Sequence, residues 1–255
     1  MTGAQHVAQR SIPLFGWLPI ILRSLAIILL LLVSLLLYGA FHPFTYHNPA
    51  PRFFLGNVAR IVGVRFRQTG KLEEGGVFLL ANHVSWIDIL VLAGLTGTAF
   101  IAQDGLAKLP WLHWLCRLND TVFIARDRRQ TIATQVEQVR EALRDTGALT
   151  IFPEGTTADG VDLLPFKSSL LSALEPVPEG IAIQPAWLDY GAEAREVSWV
   201  GDEPGLDNYL RIAARLRPIE VTVHFLSPLN GETLSGRKPM AAAAYTAISE
   251  AKAAR

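Results

Sequence analysis

The residues best suited to chemistry in this sequence are His83 and Asp88, an imidazole and a carboxylate five positions apart. They follow an apolar run, Val77–Ala81, which predicts a buried strand that ends in a polar loop. Loops at the ends of buried strands commonly carry catalytic residues. A carboxylate that holds an imidazole fixes its tautomer and stabilises the imidazolium that forms when it takes a proton. The pair therefore predicts a general base.

The spacing of the pair places it across an element boundary, because side chains that meet on one helix are three or four residues apart. Ser85 precedes Asp88 by three residues and stands ahead of the apolar residues 89–92, a pattern typical of a helix N-terminus with Ser85 as the N-cap. We expect His83 in the loop and Asp88 in the first helical turn. On these residues alone a second interpretation stays open, in which Asp88 only caps the helix and His83 is a structural loop residue.

A second polar segment follows a short strand that the sequence predicts at residues 149–152. A Pro-Glu-Gly-Thr-Thr turn after a strand exposes backbone N–H groups and hydroxyls, which is a common way to hold an anion. Arg126 ends another strand-like run, and its planar guanidinium suits a phosphate. Each charged residue taken alone also fits a solvated surface position. The other candidate ligand-binding residues of this segment are Glu154, Gly155, Thr156 and Lys167.

Four sequence blocks occur in a family-specific order between residues 77 and 190. They are Asn-His-x-Ser-Trp-x-Asp at 82–88, Phe-Ile-Ala-Arg at 123–126, Phe-Pro-Glu-Gly-Thr-Thr at 152–157 with Phe-Lys at 166–167, and Ile-Gln-Pro-Ala at 183–186. Together they resemble the glycerolipid acyltransferases, with the strongest likeness to bacterial 1-acyl-glycerol-3-phosphate acyltransferases. Two departures are Ser168-Ser169, where many members carry glycine, and Gln184, where valine is common. Both lie away from the proposed base and bear on the acceptor rather than on the reaction.

The resemblance implies a catalytic domain on a membrane anchor, with His83 as general base and Asp88 as its partner. It implies an acyl transfer from an acyl-CoA or acyl-carrier-protein thioester to the sn-2 hydroxyl of 1-acyl-glycerol-3-phosphate, which gives phosphatidic acid. No metal and no cofactor besides the thioester co-substrate is expected. The residues implied to line the phosphate end of the acceptor site are Arg126, Glu154, Gly155 and Thr156, with Lys167 near them.

Two other functions stay open. One is O-acylation of a lyso-ornithine lipid, which carries an amino-acid headgroup instead of a phosphate. The other is a non-catalytic membrane protein that binds lipid. For the enzymatic alternatives the donor is soluble and the acceptor resides in the bilayer, so we expect the inner (cytoplasmic) membrane, with the catalytic domain facing the cytoplasm.

Composition agrees with a membrane-associated protein, since 50% of the residues are hydrophobic and only 18% are charged. Residues 24–41 form an uncharged apolar stretch that reaches roughly 27 Å as a helix, about the thickness of the hydrocarbon core of a bilayer. The preceding residues 12–22 carry Pro13, Gly16 and Pro19, and are predicted to approach the membrane as an interfacial or re-entrant segment. A signal peptide is the competing interpretation, although the apolar core is long for one.

Beyond the anchor, seven strand-like runs alternate with helical segments. This alternation predicts the α/β class, with a mixed, mainly parallel sheet flanked by helices. We divide the chain into an anchor with its connecting segment at residues 1–60 and a catalytic domain at 61–255. The clearest amphipathic helix is predicted at 129–144. The formal net charge of zero gives no indication of nucleic-acid binding.

Overall fold

The computed structural model of the protein describes residues 12–45, 48–103, 110–124, 137, 141–143 and 146–255, and within these residues seven strands form one sheet. The strands are β1 (Val64–Thr69), β2 (Val77–Ala81), β3 (Ala99–Gln103), β4 (Val122–Ile124), β5 (Ala148–Ile151), β6 (Ala182–Asp189) and β7 (Ile219–Phe225). Their spatial order is β1-β7-β6-β2-β5-β3-β4. Among these seven described strands, only β6 and β7 pair antiparallel. The predicted mixed, mainly parallel sheet is confirmed.

Helices cover both faces of this sheet. They are α1 (Trp17–Phe41), α2 (Ala50–Ile61), α3 (Ile87–Thr96), α4 (Pro110–Leu118), α5 (Ala194–Val197), α6 (Gly205–Ala213) and α7 (Arg237–Ala253), with a 3-10 helix at Ser168–Leu174. Alternate residues of β2 enter two separate cores: Val77 and Leu79 pack with α2, α3 and α6, while Phe78 and Leu80 pack with α7 and the 3-10 helix. Because both faces of β2 are buried, its sequence is continuously apolar.

The sequence also predicts a helix at 167–174, and the structure has a 3-10 helix at Ser168–Leu174 instead. Most of the amphipathic helix predicted at 129–144 lies outside the described residues, although residues 137 and 141–143 are helical and Leu143 of its apolar stripe is buried.

Helix α1 is longer than predicted, because it begins at Trp17 rather than near residue 24. Residues 12–22 therefore do not form a separate approach to the membrane. Pro19 falls in the first turn of the helix, where backbone N–H groups have no intrahelical acceptor and proline is tolerated. With the 3-10 turn before it, the apolar segment Leu14–Phe41 comprises 28 residues with a mean hydropathy of 2.9.

One face of α1 lies on the rest of the fold. Near its start, Arg23 donates hydrogen bonds to two carbonyl groups at the end of α6. Near its end, Asn48 Nδ2 donates to the carbonyl oxygen of Tyr38 at 3.0 Å, which directs the chain back into α2. Ile27 and Leu30 pack between these points against the core shared by α2 and α3. The opposite face is exposed and includes Leu18, Ile21, Leu22, Leu25, Ile28, Leu29, Leu32 and Leu36.

Helices α2 and α3 approach each other closely at Gly56 and Gly94. A Cβ atom on Gly94 would lie 2.7 Å from the Cα atom of Gly56, closer than packed carbon atoms allow. Since α3 carries Asp88 in its first turn, this contact fixes the helix that presents the carboxylate.

The substitution Gly94→Ala should force α2 and α3 apart and lower the free energy of unfolding by about 1–3 kcal/mol, as expected for overpacking a core. The midpoint of thermal unfolding in detergent measures this loss. Gly39→Ala is the matched control, because a Cβ atom at Gly39 on α1 would meet nothing within 4 Å. A Gly94→Ala protein as stable as the control would contradict the close packing of α2 on α3.

Candidate active site

The imidazole of His83 and the carboxylate of Asp88 are in direct contact. Strand β2 ends at Ala81, His83 lies in the loop that follows, and Asp88 lies in the first turn of α3. The His83 Nδ1 atom is 2.7 Å from Asp88 Oδ2. A buried carboxylate accepts hydrogen bonds, so Nδ1 carries the proton and Nε2 is left with a lone pair that can accept one.

Four donors surround the carboxylate of Asp88, which is fully buried. Besides His83 Nδ1, the backbone N–H groups of Val84 and Ser85 donate to Oδ2 at 2.6 and 2.9 Å. The hydroxyl of Tyr190 donates to Oδ1. Burial and the charge of Asp88 raise the pKa of Tyr190 well above its ordinary value, so this hydroxyl stays protonated as a donor. These hydrogen bonds stabilise the buried negative charge of Asp88 and hold the carboxylate against the imidazole of His83.

The predicted N-cap role of Ser85 is wrong. The helix begins at Ile87, and the Ser85 hydroxyl is buried without a hydrogen-bond partner among the described residues. Asp88 explains the difference, since its side chain accepts the N–H group of Ser85 while its own N–H group donates to the Ser85 carbonyl. The carboxylate half of a capping box forms, and the same carboxylate holds His83.

Backbone contacts fix the loop that carries His83. The Asn82 side chain accepts a hydrogen bond from the Leu188 N–H group and donates one to the Leu188 carbonyl, which joins the loop to the end of β6. The His83 N–H group donates to Glu154 Oε1 at 2.7 Å, and the His83 carbonyl accepts from Ala158 at 2.7 Å. The position of the loop is thus determined on both sides.

The His83 ring stacks on Phe152, with ring centroids 4.0 Å apart and planes inclined by 13°. Phe152 follows β5, the neighbour of β2, so the sheet brings both rings together. The relative solvent exposure of the His83 side chain is 17%, and no described residue is hydrogen-bonded to Nε2. A hydroxyl group that approached Nε2 would therefore meet an oriented base.

The segment predicted to bind an anion lies beside His83. Glu154 is bonded to the His83 backbone, and Gly155 follows with φ of +70°, a conformation that favours glycine. A Cβ atom there would lie 3.1 Å from Lys167 Nζ, which places the ammonium group over the turn. Thr156 is exposed at the same turn. Arg126, the fifth expected contact, lies outside the described residues.

Glu154 differs from its neighbours because its carboxylate is buried and faces inward. Its two oxygens accept the N–H groups of His83 and Leu164 at 2.7 and 2.9 Å. Burial raises the pKa of this carboxyl to about 7, and the Asp88 charge acts in the same direction, whereas the two N–H groups oppose the rise. In this geometry the Glu154 carboxylate joins the loop that carries His83 to the segment that carries Leu164.

Sequence reasoning missed three residues of this site. Tyr190 is a single aromatic residue after a strand, a pattern that usually means core, and its contact with Asp88 spans 102 residues. Asn82 and Phe152 stand inside the recognised blocks, but their roles depend on the strands beside them. Among the described residues, no group of three His, Cys, Asp or Glu side chains is arranged to hold a metal ion.

Residues 63–189 match the family model described as Acyltransferase. The sequence is 36% identical over 209 residues to the lyso-ornithine lipid O-acyltransferase of Brucella abortus, an alignment that covers 75% of this chain and 77% of the relative. It is 32% identical over 194 residues to the enzyme of that name from Rhodobacter capsulatus, covering 74% and 70% of the two chains. Identity to a 1-acyl-sn-glycerol-3-phosphate acyltransferase of Neisseria gonorrhoeae is 32% over 129 residues, about half of each chain.

The fold is similar to the crystal structure of the 1-acyl-sn-glycerophosphate (LPA) acyltransferase PlsC from Thermotoga maritima. The TM-score is 0.58, with 21% identity over 91% of this chain and 98% of the other. At this identity the likeness establishes the architecture alone.

The raised pKa of Glu154 makes the stability of the loop depend on pH. Because the folded-state pKa of about 7 exceeds the ordinary value of 4.5, the folded protein binds more protons than the unfolded chain between these values. The stability that this residue contributes is therefore present below about pH 4.5 and lost as the pH rises through 7, by about 3 kcal/mol in all.

Replacing Glu154 with glutamine removes this titration. The difference in thermal midpoint between wild type and Glu154→Gln should shift in favour of the variant between pH 5 and pH 8. Glu179→Gln, at an exposed loop position, is the control and should show no such shift. A pH-independent difference for Glu154→Gln would contradict the raised pKa.

Proposed function

This chain belongs to the acyltransferase family, and we propose that it transfers a fatty acyl group from a soluble acyl thioester to the free hydroxyl of a lyso-ornithine lipid. That it is a lysolipid acyltransferase follows from the family match and from relatives that span three quarters of the chain. The observation that carries the reaction is the 2.7 Å contact between His83 Nδ1 and Asp88 Oδ2, which leaves Nε2 as an oriented base.

The proposed reaction is a direct transfer without a covalent enzyme intermediate. His83 Nε2 takes the proton of the acceptor hydroxyl while that oxygen attacks the thioester carbonyl carbon. Asp88 stabilises the imidazolium, and backbone N–H groups of the turn after β5 stabilise the oxyanion. The tetrahedral intermediate then collapses to the ester, the carbon–sulfur bond breaks, and the imidazolium returns its proton to the leaving thiolate. The donor is an acyl-CoA or an acyl-carrier-protein thioester.

The choice of acceptor rests on the extent of the similarities. The lyso-ornithine lipid O-acyltransferases of B. abortus and R. capsulatus align over 75% and 74% of this chain, whereas the N. gonorrhoeae 1-acyl-sn-glycerol-3-phosphate acyltransferase aligns over 50%. An amino-acid headgroup presents a carboxylate, to which Lys167 and Arg126 can also bind.

The second candidate acceptor is 1-acyl-glycerol-3-phosphate, which would give phosphatidic acid. The Lys167 ammonium group over Gly155 favours it, because a glycine turn and a cation are a common arrangement for a compact anion. Thr156 and Arg126 would complete that site.

The exposed face of α1 supports membrane association. We infer that this helix lies along the membrane surface with its outer face in the lipid, because its inner face contacts the protein from Arg23 to Tyr38. The active site would then face the cytoplasm at the inner membrane, where the soluble donor and the lipid acceptor meet.

Removing the base tests the reaction. His83→Ala should lower kcat at least about a hundredfold, the typical contribution of a positioned acid-base group. Asp88→Asn should be similarly impaired, because an amide does not stabilise the imidazolium. His224→Ala, on β7, is the control and should retain activity. Acyl transfer at the wild-type rate by folded His83→Ala protein would refute the mechanism and favour a lipid-binding protein.

A comparison of two acceptor lipids tests the proposed substrate preference. Purified protein receives lyso-ornithine lipid and 1-acyl-glycerol-3-phosphate with one labelled acyl-CoA, and kcat/KM is measured for each. We expect the larger value for lyso-ornithine lipid, and a raised KM for it in Arg126→Ala. Transfer to 1-acyl-glycerol-3-phosphate alone would overturn the proposed acceptor while leaving the role of His83 intact.

A further inference from the structure

Helix α1 contacts helix α6 through polar groups. The Arg23 guanidinium donates to the carbonyl groups of Ala213 and Arg215 at 3.0 and 2.8 Å. These carbonyls lie at the C-terminal end of α6, where the helix itself supplies no N–H partner. One turn earlier on α6, the Tyr209 hydroxyl is 2.7 Å from Ser24 Oγ. Arg23 is the one charged residue of α1, and it is directed at the protein.

Helix α6 in turn holds Trp86, the residue at the N-cap of α3. Trp86 Nε1 donates to Asn208 Oδ1 at 2.9 Å, and its ring lies 6.2 Å from that of Tyr209. Asn208 is fully buried, and its Nδ2 group donates to the Ser198 carbonyl and to Glu203 Oε2. With both ends of its amide occupied, Asn208 has one orientation, and that orientation fixes Trp86.

Trp86 lies in the sequence between Ser85, at the end of the catalytic loop, and Asp88, in the first turn of α3. Ser85 before it donates its N–H group to Asp88, and Asp88 lies two residues after it. The segment that orients Asn208 also reaches the loop directly, since the Trp199 N–H group donates to the Val84 carbonyl at 3.0 Å. A displacement of Trp86 would therefore move Asp88 relative to His83.

We propose that α1 is a positioning element of the catalytic loop, which acts through α6 and Trp86. Arg23 and Ser24 fix α6, Asn208 and Tyr209 fix Trp86, and Trp86 fixes the start of the helix that bears Asp88. The proposal rests on the proposed acyl transfer. It means that turnover depends on α1 being seated on the protein, so that the surface that binds lipid also sets the geometry of the base.

A helix that served only as a tether would behave differently when Arg23 is changed. Arg23→Leu removes the one charge of α1, so a tether would bind membranes at least as well and turnover would not change. A positioning element would lose its contacts with the α6 carbonyls, and turnover would fall despite full membrane binding. The KM for the acceptor should change little, because the contacts of Arg23 are with carbonyl groups of α6 and not with His83 or the turn after β5.

The test compares three variants with wild type, using acceptor dispersed in detergent so that membrane affinity does not limit the rate. Arg23→Leu should lower kcat about tenfold or more with little change in KM, as expected for loss of charge-assisted hydrogen bonds behind the base. Tyr209→Phe, which removes only the bond to Ser24, should give a smaller loss in the same parameter. Leu29→Ala, on the exposed face of α1, should keep its kcat but bind phosphatidylglycerol vesicles more weakly.

A second readout does not require activity. Diethyl pyrocarbonate modifies histidines, and peptide mass spectrometry follows His83 and His224 separately. His83 should react several-fold faster in Arg23→Leu, because its Nδ1 is released from Asp88, while His224 should be unchanged. Unchanged kcat in Arg23→Leu would overturn the proposal, and so would a loss of kcat with unaltered His83 reactivity. If wild type acylates neither acceptor, the proposed function fails and His83 reactivity alone decides the positioning role.

Discussion

The carboxylate of Asp88 is buried, and a buried charge is tolerated only when donors surround it. Its four hydrogen bonds come from the loop after β2, from His83 and from Tyr190 after β6. These donors follow the neighbouring strands β2 and β6, so the carboxylate joins the ends of two strands of the sheet. Loss of one partner would leave part of this charge unpaired inside the protein.

Three further side-chain contacts hold the loop that carries His83 in place. Asn82 ties the loop to β6, Glu154 ties it to the turn after β5, and Trp86 ties it to α6. Both the N–H group and the carbonyl group of His83 are therefore hydrogen-bonded within the protein. This agrees with the small adjustment that general-base catalysis tolerates between a base and its substrate.

The sequence was sufficient to predict the strands and the contact of His83 with Asp88, because β2 is a continuous apolar run and the two residues stand within four sequence blocks in a distinctive order. It was not sufficient for Tyr190 or for the contact of Gly56 with Gly94, which join residues far apart in the chain and leave no local pattern. Ser85 shows a third case, in which the local pattern was correct but the carboxylate replaced the hydroxyl as the capping group. The sequence underestimates the length of α1, because a proline is typical of a helix break but is tolerated in the first turn, where Pro19 stands.

The amide of Asn82 bears on how this chain can diverge during evolution. Its two bonds to Leu188 fix one residue of β6, and Tyr190 follows two residues later, just beyond the end of the strand, with its side chain in the same core as that of Leu188. A single inserted residue between them would turn the tyrosine away from Asp88. Insertions that diversify substrate choice should therefore accumulate before β6 or after Tyr190, and the interval between these two residues should keep its length across descendants.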